Sequence, residues 1–265
     1  MKTVSPGAVS YASRFEQPAS VDSYERGEYS PGSYPSLIWA LQQPWLERII
    51  SSSRSPSRPL KLLDFACGTG RILSFVEPLA DEAVGVDLSE QMIGVARQKC
   101  RKARLIAGNL LSNPSLLPGG SVFDVVTCFR FLLNVEPALR AAALRRLRSL
   151  VRDPGGILLV NVHGNSQSLR HPAVVWKRWR SRSLPPEKQS ELMLNEMSGP
   201  ETRRLLRECG WEVERQIGFG ILPRTLYRTP LRGLAHAVDK ALAGRAGFNA
   251  WSTDLLFVCR PCPEP

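Results

Sequence analysis

Leu60-Lys61-Leu62-Leu63-Asp64-Phe65-Ala66-Cys67-Gly68-Thr69-Gly70 is the stretch whose reading decides the fold. An apolar run ends in a glycine turn, and the turn opens into a helical pattern from Arg71 to Ala80. A second apolar run, Ala83-Val84-Gly85-Val86, ends on Asp87. Glycine lets backbone approach a ligand with no Cβ in the way, and a helix start offers unpaired N–H groups to a carboxylate or phosphate. A carboxylate about 20 residues further on, at the next strand tip, is where a ribose diol is held. The pattern implies a nucleotide-like cofactor. An ordinary βα turn with glycines at a helix start is the blander reading, and the position of Asp87 weighs against it.

The glycine spacing narrows the choice. A dinucleotide fingerprint reads G-x-G-x-x-G, and the small residues here, Ala66, Gly68 and Gly70, miss its third position. No Lys-Ser/Thr pair follows the turn, which excludes a Walker-type phosphate loop. The segment resembles motif I of the class I S-adenosylmethionine-dependent methyltransferases, D/E-x-G-x-G-x-G, with Ala66 in the first glycine slot. The resemblance spans roughly residues 60–162. It implies S-adenosylmethionine as cofactor and a seven-stranded, mostly parallel sheet ordered 3-2-1-4-5-7-6. Carried over residue by residue, it sets Asp64, Ala66, Cys67, Gly68 and Gly70 along the methionine part of the cofactor. It gives Asp87 the ribose hydroxyls, and Leu88 and Met92 the adenine face. Where the family usually reads Gly-Asp after the third strand, this chain reads Gly108-Asn109, so Asn109 accepts from the adenine amino group without charge, beside Leu110.

Strand and helix signals alternate after residue 60, as βαβ units and a parallel sheet require. Strands are expected at 60–65, 83–87, 103–107, 122–128, 156–162, 211–218 and 254–260, the last two as an antiparallel pair. Helices fall near 70–80, 89–101, 136–152 and 199–209. Tyr34 to Ile50 also reads as a helix, interrupted by Pro44, before a polar linker at 51–59. Residues 1–20 and 261–265 read as loose ends around one domain, 21–260. Within it, 21–50 is a lid-like segment, and 163–197 and 219–250 are helical insertions over the strand tips. Trp176, Trp179, Phe219, Tyr227, Phe248 and Trp251 suit them for a substrate roof. Tyr29 and Tyr34 are candidates to close over the cofactor.

The 265 residues carry a formal charge of +11, with 28 of the 35 basic residues being arginine. The arginine clusters at 140–152, 170–182 and 203–207 are broken by apolar residues at helical spacing. They read as solvated helix faces ahead of a nucleic-acid surface, with anionic substrates left open. No apolar run approaches bilayer-spanning length, and Met1 to Phe15 has no signal-like core, so the expected setting is cytoplasmic. Six scattered cysteines, with Cys259 and Cys262 the one C-x-x-C pair, form neither a disulfide framework nor a zinc site. Metal dependence is not expected, since only Asn134, Asn161 and Asn165 stand where clustered acidic ligands are needed.

Ligands of an open α/β sheet lie beyond the carboxyl ends of its strands. The fourth tip, Cys128-Phe129-Arg130-Phe131, lacks the N/D/S-P-P-aromatic motif of amine methyltransferases, and the one Pro-Cys pair, Pro261-Cys262, lies in the tail. Phe129 and Arg130 then line the path between cofactor and acceptor, Arg130 as an anchor for an anionic group. His163, just past the fifth strand, is the best candidate for a base that takes a hydroxyl proton. A surface arginine and a structural loop histidine are the competing readings. The expected activity is methyl transfer from S-adenosylmethionine to a small-molecule or glycan acceptor, most naturally a hydroxyl. The alternatives are an RNA methyltransferase using the basic surface, a non-catalytic cofactor-binding protein and, disfavoured by the glycines, a nicotinamide-dependent oxidoreductase. Oligomeric state is not legible.

Overall fold

The computed structural model describes residues 32–181 and 195–262. Each expected strand forms: β1 (Lys61–Phe65), β2 (Glu82–Asp87), β3 (Arg104–Ala107), β4 (Val125–Phe129), β5 (Ile157–Val162), β6 (Trp211–Phe219) and β7 (Asp254–Pro261). They make one sheet in the order β3-β2-β1-β4-β5-β7-β6, the order the resemblance implies. The first five are parallel, and β7 enters antiparallel between β5 and β6.

Alternation along the strands explains why both faces are covered. Val125, Phe129, Ile157, Leu159, Leu256 and Val258 point into one apolar layer, and Val126, Cys128, Leu158, Val160, Leu255 and Phe257 into the other. The first layer is closed by α1 (Tyr34–Ser52), α2 (Arg71–Val76) and α3 (Glu90–Lys99). The second is closed by α4 (Pro137–Arg148) and, after α5 (His171–Ser181), by α6 (Gly199–Glu208). A final helix, α7 (Arg232–Leu242), returns to the first layer through Ala235.

Caps place these helices. Ser198 and Glu201 form a reciprocal capping box that starts α6, and Ser89 accepts from the Met92 amide to start α3. Pro44 does not interrupt α1, contrary to the sequence expectation. Proline deprives the carbonyl four residues earlier of its donor, but Pro44 and Ala40 both lie on the exposed side, where water takes that place. The helix predicted over 70–80 is shorter, Arg71–Val76, and tightens into a 3-10 turn at Glu77–Leu79 where Pro78 removes an amide.

Two insertion residues differ from expectation. Phe219 is the fully buried end of β6, and Tyr227 is buried beneath α7, donating to the carboxylate of Asp239. Neither contributes to a roof. Trp176, Trp179 and Trp251 are exposed.

Candidate active site

The glycine turn leaves β1 through three residues in the left-handed region: Ala66 (φ 55°), Gly68 (φ 54°) and Gly70 (φ 74°). This explains why the family places glycine at each of them, and it makes Ala66 a residue whose Cβ is held where L-residues are strained by about 1–2 kcal/mol. Gly70 cannot carry a side chain for a second reason, since its Cβ would lie 2.9 Å from Cys100 Sγ and 3.0 Å from the Ala96 methyl. Nothing lies within 4 Å of a Cβ position on Gly68, so the turn has open space above it. Arg130, at the tip of the neighbouring β4, is the other left-handed non-glycine residue among those described (φ 55°). Two paired strands therefore both leave the sheet abruptly at the ligand edge, the setting in which such conformations concentrate.

Asp87 ties the turn to the next strand. Its Oδ2 accepts from the Gly68 amide at 2.8 Å and its Oδ1 from the Ser89 amide at 2.9 Å. Each carboxylate oxygen keeps a second lone pair, and the half-buried side chain presents them to a narrow crevice. Ala66, Asp87, Leu88, Asn109, Leu110 and Phe131 line that crevice. Burial raises the carboxyl above its ordinary range, and the Ser89 and Gly68 amides work against the rise.

Asp64 lies beneath the turn, fully enclosed. Thr127 Oγ1 donates to its Oδ1 at 2.6 Å, while Oδ2 is a buried oxygen with no protein partner. Burial pushes its pKa up to about 7, with the nearby Asp87 charge adding to the rise and Thr127 and Arg71 opposing it. An orphaned, half-titrated carboxylate below an open glycine turn is suited to a cation set on that turn. The donor set fits S-adenosylmethionine, whose amino acid tail carries an ammonium and whose ribose offers a diol.

Other expected cofactor residues are placed differently. Met92 is buried on the inner side of α3 instead of lying open to the crevice. Phe129 belongs to the apolar layer under α1, with Tyr34 and Ile38. Asn109 Oδ1 accepts from the Leu111 and Ser112 amides at 3.0 and 3.3 Å, so a bound adenine competes with a local turn for that oxygen. Cys67 is buried, and burial drives its thiol far above the usual range, leaving it an inert apolar group. Tyr29 lies outside the described residues. Tyr34 is buried against Tyr227 edge-to-face, and burial lifts its hydroxyl to about 12.

The acceptor side gathers residues from four distant segments. His163 is half-buried just past β5, with Nδ1 enclosed and without a protein partner. Its pKa is held well below 6.5, first by burial and then by the positive charges of Arg130, Arg170 and Arg71. The imidazole is therefore neutral at pH 7. Asp254, at the start of β7, accepts from Gln42 Nε2 at 2.7 Å and from the amide of Asn161. Burial raises its pKa to about 6, with Arg130 and Arg71 among the groups opposing the rise. Asp254 and Gln42 are absent from the sequence reading, which named Asn161 only in weighing a metal site. One signal was there: the start of an antiparallel strand lies at the same sheet edge as the ends of the parallel ones. Gln42, on the apolar face of α1, gives no such signal.

A methyltransferase domain model matches residues 40–216, more than half of the chain. The chain belongs to the class I S-adenosylmethionine-dependent methyltransferases. It is 30% identical over 170 residues to the ubiquinone biosynthesis O-methyltransferase of Methylococcus capsulatus, covering 62% of this chain and 68% of that one. It is also 30% identical over 182 residues to the protein of the same name from Thiobacillus denitrificans, covering 66% and 75%. Among solved structures, the methyltransferase resembles the magnesium protoporphyrin IX methyltransferase of Synechocystis with bound S-adenosylhomocysteine, at a TM-score of 0.58 and 16% identity over 93% of this chain and 95% of that one. A mitomycin 7-O-methyltransferase matches at a TM-score of 0.58 and 14% identity, over 97% of this chain and 62% of that one. At such identities these structures support the fold of the methyltransferase and nothing finer.

Proposed function

We propose that the enzyme transfers the methyl group of S-adenosylmethionine to a hydroxyl of a small organic acceptor. The observation that carries the cofactor half is Asp87, bonded to the Gly68 amide with lone pairs left facing the crevice. In this reading Asp87 grips the ribose, and Leu88 and Leu110 border the adenine. Ala66, Gly68 and Gly70 seat the amino acid tail, with Asp64 beneath its positive charge. When bound, the cofactor supplies an activated methyl on a sulfonium, so the protein chiefly aligns donor and acceptor.

On the acceptor side, neutral His163 takes the hydroxyl proton. Burial and the nearby guanidinium groups keep its ring uncharged, and the same cations favour the oxyanion form of an acceptor hydroxyl. Arg130 holds an anionic group of the acceptor, and Asp254, fixed by Gln42 and Asn161, orients a polar substituent. Support for oxygen as the methylated atom comes from the two relatives named as O-methyltransferases. The proposal takes residues 21–260 as the catalytic domain, with α1 as part of its core. A cytoplasmic setting agrees with six free cysteines, four of them buried.

Calorimetry with S-adenosylmethionine and S-adenosylhomocysteine, followed by a mass-shift screen over phenols, alcohols and glycans, tests both halves. Binding with no methylated product from any acceptor overturns the catalytic reading. A salt-sensitive gain in affinity for RNA, with methylated nucleotides as product, overturns the small-molecule one.

A further inference from the structure

Helix α5 packs inside out. Of its eleven residues only Val174 is buried, whereas Val175, Trp176 and Trp179 are 47, 57 and 64% exposed. Pro172, Val175, Trp176 and Trp179 follow the i, i+3, i+4, i+7 spacing that puts them on a single stripe, and that stripe faces outward. Lys177 and Arg180 are exposed, as the sequence reading of 170–182 has them, but Val175, Trp176 and Trp179 do not turn inward on this helix. Its water-facing crest is apolar, and the cations flank it. Arg180 and Lys177 border one side, with Arg180 set 4.8 Å over the Trp176 ring. On the other side His171 and Arg178 reach Glu196.

Further exposed apolar residues stand near the helix in sequence and structure. Leu169, 55% exposed, donates its amide to the carbonyl of Trp251, itself 49% exposed. Six of the nine large exposed apolar residues among those described lie in the two insertions and a seventh, Trp251, directly follows the second, the other two being Leu88 and Val122. No aspartate or glutamate occurs between Asp153 and Glu187, so α5 itself carries cations and no carboxylate, Glu196 meeting it from a later segment.

We infer that α5 is an interfacial helix that seats the methyltransferase on an anionic lipid surface. Indole rings favour the boundary between headgroups and acyl chains, and Lys and Arg beside them reach anionic headgroups while their stems stay on the apolar side. The observations favour lipid over RNA because the crest itself is apolar. A nucleic-acid groove needs its cations along the line of closest approach, whereas here they stand to either side. Insertion is shallow, since no helix among the described residues is long and apolar enough to cross a membrane. The inference is independent of the acceptor's identity.

Flotation of the full chain with vesicles of phosphatidylcholine alone, or mixed with phosphatidylglycerol, tests it at low and physiological salt. Wild-type protein is expected to float with the anionic vesicles and much less with the neutral ones, and added salt weakens the association. The Trp176→Ser/Trp179→Ser variant should lose at least about tenfold in partitioning. Because both side chains are exposed, its melting temperature and S-adenosylhomocysteine affinity should be those of wild type. Lys177→Gln/Arg180→Gln should lose the preference for anionic vesicles while keeping the indoles. Absence of wild-type flotation, or undiminished flotation of the tryptophan variant, overturns the inference. So does concentration-dependent self-association that the tryptophan changes abolish, or tight binding of a single-stranded RNA oligonucleotide in place of vesicles.

Discussion

The two halves of the ligand edge are built by different means. The half from β1 to β3, which the proposal gives to the cofactor, is made of backbone: a left-handed turn, two amides pinned to Asp87, and glycines that leave room above the chain. The half from β4 to β7, which it gives to the acceptor, is made of side chains delivered from far apart. Gln42 and Asp254 are 212 positions apart, and Asn161 and Asp254 are 93 apart. Backbone geometry constrains sequence locally, so it tolerates little change. Side chains on a shared scaffold can be exchanged one at a time, and that is where specificity can vary.

If the halves are separable, changes in one should spare the other. The largest effect on cofactor binding is expected for Asp87→Ala, which removes a carboxylate worth roughly 1.5–3 kcal/mol per charge-assisted bond. Calorimetry should show S-adenosylhomocysteine affinity down by about ten- to a hundredfold. Asp254→Asn, by contrast, should leave that affinity within about twofold while lowering turnover on any accepted hydroxyl. A comparable loss of cofactor binding in both variants would show one coupled site instead of two.

Gly70→Ala comes next. The left-handed backbone alone costs about 1–2 kcal/mol, and Cys100 and Ala96 must also shift, so denaturant unfolding should report at least that loss. His163→Ala sharpens the acceptor side: kcat should fall by about 10²–10⁴ while cofactor affinity holds. Undiminished turnover of an alcohol would remove His163 as the base.

A pH comparison separates the halves by sign. Asp64 has a folded pKa raised to about 7, so below pH 4 it costs nothing, and stability declines as pH rises from about 4 through 7. His163 has a folded pKa depressed below 6.5, so its contribution is present above 6.5 and is lost as pH falls through that value. Asp64→Asn should therefore flatten the loss between about pH 4 and 7, by at most about 1.4 kcal/mol per pH unit. It should also abolish the proton release expected when a cationic cofactor binds near pH 7. The smallest effect is expected at Ala66→Gly, a gain of about 0.5–1 kcal/mol in thermal or denaturant stability from relief of the left-handed turn.

The same division explains what was legible. The strands and the turn could be read because glycine spacing and apolar runs are local signals, and the strand order followed from the family resemblance. Asp87 was singled out by its distance from the turn, and its position at the crevice is the direct outcome of β1 and β2 pairing in register. Thr127 was not, because a hydroxyl midway along a buried strand carries no mark until the neighbouring strand puts Asp64 against it. Met92 and Phe129 were given to the cofactor because they follow a strand tip or a helix start in sequence. Helix rotation and strand alternation turn both into the core. Arginines were read as solvent-facing from their interleaving with leucine. That holds for α4, where Leu144 and Leu147 are buried, but in α5 the apolar partners are exposed along with the cations, because packing uses Val174 alone.

The bond between Asp87 and the Gly68 amide has a consequence for turnover. Donor and spent product share the same sugar and base, so a grip on the ribose cannot tell them apart. They differ at sulfur, by one methyl and one unit of charge, whereas the ammonium that the proposal sets over the enclosed carboxylate of Asp64 is common to both. A rigid, pre-tied turn also loses little freedom when occupied. The enzyme should therefore hold its own by-product about as firmly as its donor, and its pace in the cell should follow how quickly that by-product is cleared.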